Sequence, residues 1–371
     1  MQQAPMSEAI ARRLRRASQK LGTVDPGQTI KPLLDRTFSL PPGDRKYAAN
    51  ALTPGAAPFE PSYSESQPNV LRFTLEPLGP DASKIDRRDE ATREMRRLVR
   101  AMYGRDALYW FDNRSEAWRD LGSGADLTYG AFFGTSYDQD GLFASKVYYE
   151  TLPGQLSALP MHLFRLVATA IALMPSLHPL FTTLSCQRQH GGQRMTFLQR
   201  GPLRLADLAP LLQALQLDHQ LPGIMQIIGL ALGGRFDLPD RSTLIAFGRT
   251  PEGPEFELYV LLGMIPDVPA NFLDLLALGL TERPRELQAM IRWLQAFTPE
   301  DRDWPGNFSV LSVRTTALSP PRLSLYLRPV EFEVPVQLAG QRRTRMNGEP
   351  DSEPAANEDT ASEQGEMAMA G

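Results

Sequence analysis

The stretch that decides the fold runs from Thr128 to Glu150 and reads TYGAFFGTSYDQDGLFASKVYYE. Two runs rich in aromatic residues flank DQDG, Asp138 to Gly141, whose residue types suit a tight connection, so the stretch reads as a β-hairpin. Strand side chains alternate between faces, which places Lys146, Tyr148 and Glu150 together on one side.

Hairpins of this kind recur along the chain. The first runs from Phe59 to Ser66, turns through Gln67, Pro68 and Asn69, and returns as VLRFTLEP from Val70 to Pro77. The third spans Phe181–Gln199 around HGG, the fourth Ser242–Leu262 around PEG, and the fifth Asn307–Leu327. Between them the apolar periodicity predicts helices near 87–103, 106–121, 161–174, 205–217, 223–232, 271–280 and 284–297. Unit spacing is uneven, so this is no strict solenoid. One supersecondary unit is used about five times, giving about ten strands.

Sequential hairpins pair antiparallel, and that many strands can close into a barrel without exposed edges. Leu71, Phe73 and Leu75 share one face; Arg72, Thr74 and Glu76 share the other. Glu255, Glu257 and Tyr259 oppose Phe256, Leu258 and Val260, and Arg322, Ser324 and Tyr326 oppose Leu323, Leu325 and Leu327. Amphipathic helices must cover an apolar sheet face. If they ring the barrel, the Arg, Lys, Glu, Ser and Tyr side chains line the lumen. An open sheet with helices on one side is the competing arrangement, and it leaves long edges.

A charged lining is costly in a dry core, so such a lumen should hold water and a charged ligand. Arg72, Lys146, Arg194 and Arg322 offer cations from separate strands, which suits a polyanion such as a diphosphate. Tyr148, Tyr259 and Tyr326 offer ring faces that stabilise a carbocation and exclude water. Cations and tyrosines together fit a prenyl diphosphate that ionises to an allyl cation.

The remaining features exclude other classes. Net charge is −4, against the basic field that nucleic-acid binding needs. A single cysteine, Cys186, leaves no internal disulfide and fits a reducing cytoplasm. No run approaches the roughly 20 apolar residues of a membrane span. His162, His178, His190 and His219 lack ligand spacing, DLPD at Asp237–Asp240 reads as a turn, and so does Gly122–Gly124. The arginine-rich start, Glu8 to Lys20, is expected to be a solvated helix, and the proline-rich Thr23–Ala57 an irregular surface wrap. One domain over 1–340 is expected, then a disordered tail over 341–371, which is polar and almost without large apolar residues.

The strings FEPS, VLRFTLEPLG, SKVYYE, FELYV and RLSLYLRP, found in order on successive hairpins, resemble the barrel strands of the soluble aromatic prenyltransferases, specifically the dimethylallyltryptophan synthase branch. The resemblance covers about Phe59 to Pro329. It implies an α+β fold: an antiparallel ten-stranded β-barrel ringed by helices in five ααββ repeats, the ABBA or PT barrel. It implies a prenyl diphosphate donor, an aromatic acceptor, no cofactor and no metal. By the matching positions, Glu60 would accept the indole N–H, Arg72 and Lys146 would hold diphosphate, and Tyr148, Tyr259 and Tyr326 would shield the dimethylallyl cation. Thr196, Glu257 and Ser324 would complete the lumen.

Two departures from the family pattern stand out. Where the third hairpin usually carries R-x-K-x-Y, this chain has Arg194, Thr196 and Leu198, so one cation and one tyrosine are missing. Glu257 stands where a glutamine or lysine is common. A late diphosphate ligand is either Arg314 or Arg322, and alternation favours Arg322. The expected activity is metal-independent transfer of a dimethylallyl group to a ring carbon of tryptophan or a related indole. The alternative is a barrel that binds an aromatic or isoprenoid ligand without turnover.

Overall fold

The computed structural model describes residues 4–120, 126–188 and 191–335. The expected tail over 341–371, Gly122–Gly124 and His190 lie outside these residues. The first unit comprises α1 (Met6–Leu21), α2 (Gly27–Thr37), β1 (Phe59–Ser64) and β2 (Leu71–Leu75). The second comprises α3 (Lys84–Met102), α4 (Arg105–Arg119), β3 (Ala131–Asp138) and β4 (Gly141–Glu150). The third has α5 (Met161–Leu173), β5 (Leu177–Gln187) and β6 (Gly191–Gln199). The fourth carries β7 (Leu203–Arg204), α6 (Ala209–Ala214), α7 (Leu221–Ala231), β8 (Asp237–Leu238), β9 (Thr243–Thr250) and β10 (Gly253–Leu261). The fifth has α8 (Phe272–Gly279), α9 (Pro284–Phe297), β11 (Gly306–Thr316) and β12 (Arg322–Pro329).

Ten strands close an antiparallel barrel in the order β1-β12-β11-β10-β9-β6-β5-β4-β3-β2. The seam joins first strand to last, with Ser62 opposite Tyr326 and Ser64 opposite Ser324. β7 and β8 pair separately, so Asp237–Leu238 of DLPD is a short strand rather than part of a turn. The open-sheet alternative is excluded.

Alternation sorts the side chains as the pattern requires. Phe73, Phe133, Val147, Phe197, Phe247, Phe256, Leu258, Leu311 and Leu325 face outward and are buried under the helices. Each such side chain contributes roughly 1.5–3 kcal/mol by leaving water. This outer shell is the hydrophobic core, and it leaves the polar face for the interior.

Two expectations at the start of the chain are overturned. The first helix is not merely solvated: Met6, Ile10, Leu14, Ala17 and Leu21 form a buried stripe, and α1 packs against α9. Its Arg13 is buried, donates to the carbonyls of Ala296 and Thr298 at the end of α9, and bridges to Glu331 at 2.6 Å, a favourable place for a cation. Thr23–Ala57 is likewise structured. It holds α2, which buries Ile30, Leu33 and Leu34 despite an internal Pro32, and a 3-10 turn at Arg45–Ala49. The helix expected over Leu205–Leu217 is broken into a 3-10 turn, Leu205–Leu208, followed by the short α6. Among the described residues no helix is long and apolar enough to cross a membrane.

Candidate active site

Every hairpin turn lies at one end of the barrel and every helical connection at the other, because each unit contributes one strand up and one strand down. The lumen therefore has two ends that can be read from the register. The inward side chains enclose a cavity of about 540 Å³.

Toward the turns the lining is cationic: Arg72, Lys146, Arg194, Arg249 and Arg314 all contribute. Arg194 is held by Glu255 at 2.8 Å and also by Glu257. Arg314 is paired with Glu255, while Ser312 Oγ donates to Glu257 at 2.8 Å. Burial pushes the Glu257 carboxyl up, but Arg194 and Arg314 more than reverse that and hold it at about 2. Arg194 is correspondingly raised: burial lowers it, and the two glutamates overcome that.

Arg72, Lys146 and Arg249 form no ion pair among the described residues. Arg72 donates only to the Gln67 side chain. Burial lowers its guanidinium to about 10. Lys146 is pushed down to about 7, first by burial and then by repulsion from Arg72, Arg194 and Arg314. The lining carries five cations against Glu60, Glu255 and Glu257, so this end presents unneutralised positive charge.

Toward the helical connections the lining becomes aromatic. Glu60 lies opposite Thr74 on β2, and Tyr148, Tyr259 and Tyr326 each sit two residues further from the turns than Lys146, Glu257 and Ser324. Tyr259 and Tyr326 tilt toward each other with centroids 6.3 Å apart, and Tyr148 meets Phe181 edge-on at 5.6 Å. Burial raises all three phenols, Tyr148 to about 12, so they stay neutral.

Two glycines make room for this lining. A methyl group on Gly134 would sit 3.1 Å from Tyr148 Cε2, and one on Gly248 would sit 2.9 Å from Arg194 Cγ. Their missing side chains let Tyr148 and the Arg194–Glu255 pair lie flat across neighbouring strands.

Glu60 is buried, and burial raises its carboxyl to about 7 even though Ser309 Oγ donates to it at 2.6 Å. Ser309 is the extra residue of a β-bulge between Phe308 and Val310. A second bulge, between Pro179 and Phe181, turns both Leu180 and Phe181 into the cavity. Bulges re-aim side chains in this way.

The structure thus brings Glu60, Arg72, Lys146, Tyr148, Arg194, Glu257, Tyr259, Ser324 and Tyr326 to one chamber. Arg322 is not part of it. It begins β12 at the barrel rim, and its guanidinium turns to the buried Glu65, which Arg283 also engages. Arg314, its cross-strand partner, lines the cavity instead. Thr196 is buried but outside the lining. Sequence reading missed Arg249, Ser309, Phe132, Leu180 and Phe181; it placed Glu255 on the inward face without a role and named Arg314 as the less favoured alternative to Arg322. Among the described residues no three His, Cys, Asp or Glu side chains cluster as metal ligands would.

No protein-family model matches the sequence, and no curated protein matches it. Solved structures do. The crystal structure of 5-dimethylallyltryptophan synthase from Streptomyces coelicolor superposes with a TM-score of 0.68 at 17% identity, covering 90% of this chain and 100% of that one. The 6-dimethylallyltryptophan synthase from Micromonospora olivasterospora, in complex with DMASPP and Trp, gives a TM-score of 0.70 at 15% identity over 89% and 99% of the two chains. A binary complex of PriB with product diphosphate gives 0.67 at 17% identity over 89% and 98%. A closed barrel of ten antiparallel strands with five helical units outside agrees with these likenesses: the chain has the ABBA barrel fold of the dimethylallyltryptophan synthase-like aromatic prenyltransferases.

Proposed function

We propose that the protein transfers a dimethylallyl group from its diphosphate to a ring carbon of an aromatic, indole-type acceptor, without a metal ion. One observation carries this reading: Arg72 and Lys146, both partly buried and neither held by a carboxylate among the described residues, face the same chamber as Tyr148, Tyr259 and Tyr326. Unpaired cations drawn partly out of water are costly and are matched by a bound polyanion. The 5- and 6-dimethylallyltryptophan synthases that share the fold support the choice of donor and acceptor.

In this reading the diphosphate sits at the turn end, on Arg72, Lys146 and the Arg194–Arg314 side. The allylic C–O bond breaks and the diphosphate leaves with the electron pair, its growing charge stabilised by these preorganised cations. The allyl cation lies among the three neutral phenols, whose ring faces attract it and whose bulk excludes water. A ring carbon attacks to form the C–C bond. The ring proton then passes to Glu60 or to a diphosphate oxygen, restoring aromaticity. Before that step Glu60 accepts the indole N–H and enriches the ring.

The test is incubation with dimethylallyl diphosphate and a panel of indoles in EDTA, read by mass spectrometry. The expected result is an acceptor heavier by one prenyl unit, lost in Lys146→Ala. Tight donor binding with no product from any acceptor would overturn the enzyme and favour a ligand-holding barrel, to which the altered third hairpin (Arg194, Thr196, Leu198) already lends some support.

A further inference from the structure

The two ends of the chamber differ in sign as well as in polarity. All five lining cations lie toward the turns. At the opposite end the lining includes Leu52, Phe132, Leu180, Phe181 and Val310, and among the described residues the one charged lining group there is Glu60. Glu150 ends β4 near this mouth but outside the cavity lining, and both its oxygens accept backbone N–H bonds, from Thr128, Tyr129 and Gly130 at 2.7–2.9 Å.

Two cations that flank this end are already engaged. Arg87 pairs with the buried Glu76 at 2.7 Å, and Arg328 pairs with Glu333 at 3.3 Å and donates to the Pro54 carbonyl. Neither lines the cavity. Among the described residues, therefore, the acceptor end offers apolar and aromatic surface plus negative charge, with no cation to receive an acid.

We infer that the natural acceptor is an aromatic compound without a free carboxylate, held with its ring system between Phe132, Phe181 and Val310. The inference rests on the prenyl-transfer reading for which substrate occupies which end. A carboxylate placed there would lose its water, find no partner, and face Glu60. An amide, ester or amine of the same ring meets none of these penalties, and an amine is drawn toward Glu60. Tryptophan itself is then a poor acceptor, whereas a derivative with its acid masked is a good one.

The experiment compares L-tryptophan with L-tryptophanamide, which share ring, shape and amine and differ only in the acid. Binding of each to the full-length protein saturated with inorganic pyrophosphate is measured by calorimetry, and turnover with dimethylallyl diphosphate is measured separately. The amide is expected to bind at least about tenfold more tightly. Equal affinity, tighter binding of the acid, or no binding of either overturns the inference. The two readings fail separately: an amide that binds in the expected order yet yields no prenylated product refutes group transfer and leaves the acceptor preference standing.

Discussion

Ser309 reaches across β12 to donate a 2.6 Å hydrogen bond to Oε1 of Glu60, leaving the other carboxylate oxygen for a ligand. The bond stabilises the ionised carboxylate, against a burial that raises it to about 7. Removing the donor in Ser309→Ala therefore raises Glu60 further. The acidic limb of the kcat/KM–pH profile should move to higher pH, with activity near pH 7 falling by about tenfold. Ser309→Thr keeps a hydroxyl and should restore most of it; an unmoved limb in Ser309→Ala would separate Ser309 from Glu60 function.

Lys146 predicts a proton-linked binding step. With its ammonium depressed to about 7, it is largely neutral at pH 8 in the ligand-free protein. A diphosphate beside it favours the charged form, so binding of pyrophosphate at pH 8 should take up close to one proton, roughly. Calorimetry in buffers of different ionisation enthalpy measures this directly, and Lys146→Met should abolish it. A binding enthalpy independent of buffer would sink the prediction.

Arg194 predicts a stability effect. Replacing it with alanine leaves Glu255 and Glu257 buried without their main partner, which should cost about 3 kcal/mol in denaturant unfolding. The pH dependence has a defined sign. Glu257 is held at about 2, below its ordinary 4.5, so its contribution is present above pH 4.5 and is lost as pH falls toward 2. Arg194→Ala should flatten that acid limb, and adding Glu257→Gln should recover part of the lost stability.

Gly134→Ala tests the placement of Tyr148. The added methyl would press on Tyr148 Cε2 at 3.1 Å and its hydroxyl at 3.3 Å. We expect kcat to fall several-fold while Tm moves by only a few degrees, about the effect of 1 kcal/mol or less. A large Tm drop with unchanged turnover of the remaining folded protein would show that the ring position is structural only.

How much of this was legible beforehand depends on the regularity of each strand. β4 and β10 alternate without interruption between Lys146 and Glu150 and between Glu255 and Val260, so their inward residues could be listed from sequence. β5 and β11 could not be read that way. A bulge in each shifts the parity by one, hiding Leu180 and Ser309, because nothing in PLF or FSV marks an unpaired residue. Arg322 and Arg314 share a face by register, and only the position of Glu65 at the rim decides which one turns inward. Composition hid the burial of α1 and the whole of α2: arginines mask the buried stripe of the first, expected as a solvated helix, and Gly27 and Pro32 suggest a break in the second. Tertiary burial outweighs those local signals.

The seam of the barrel has a consequence for biogenesis. β1 has no second neighbour until β12 exists, and α1 has no α9 to lie against until the fifth unit emerges from the ribosome. Every shorter nascent chain carries two unsatisfied ladders of amide and carbonyl groups, one at each margin of a growing sheet. The cylinder is sealed by the last of its strands to be translated, so a chain stopped before β12 should be a sticky, aggregation-prone fragment rather than a smaller version of the barrel.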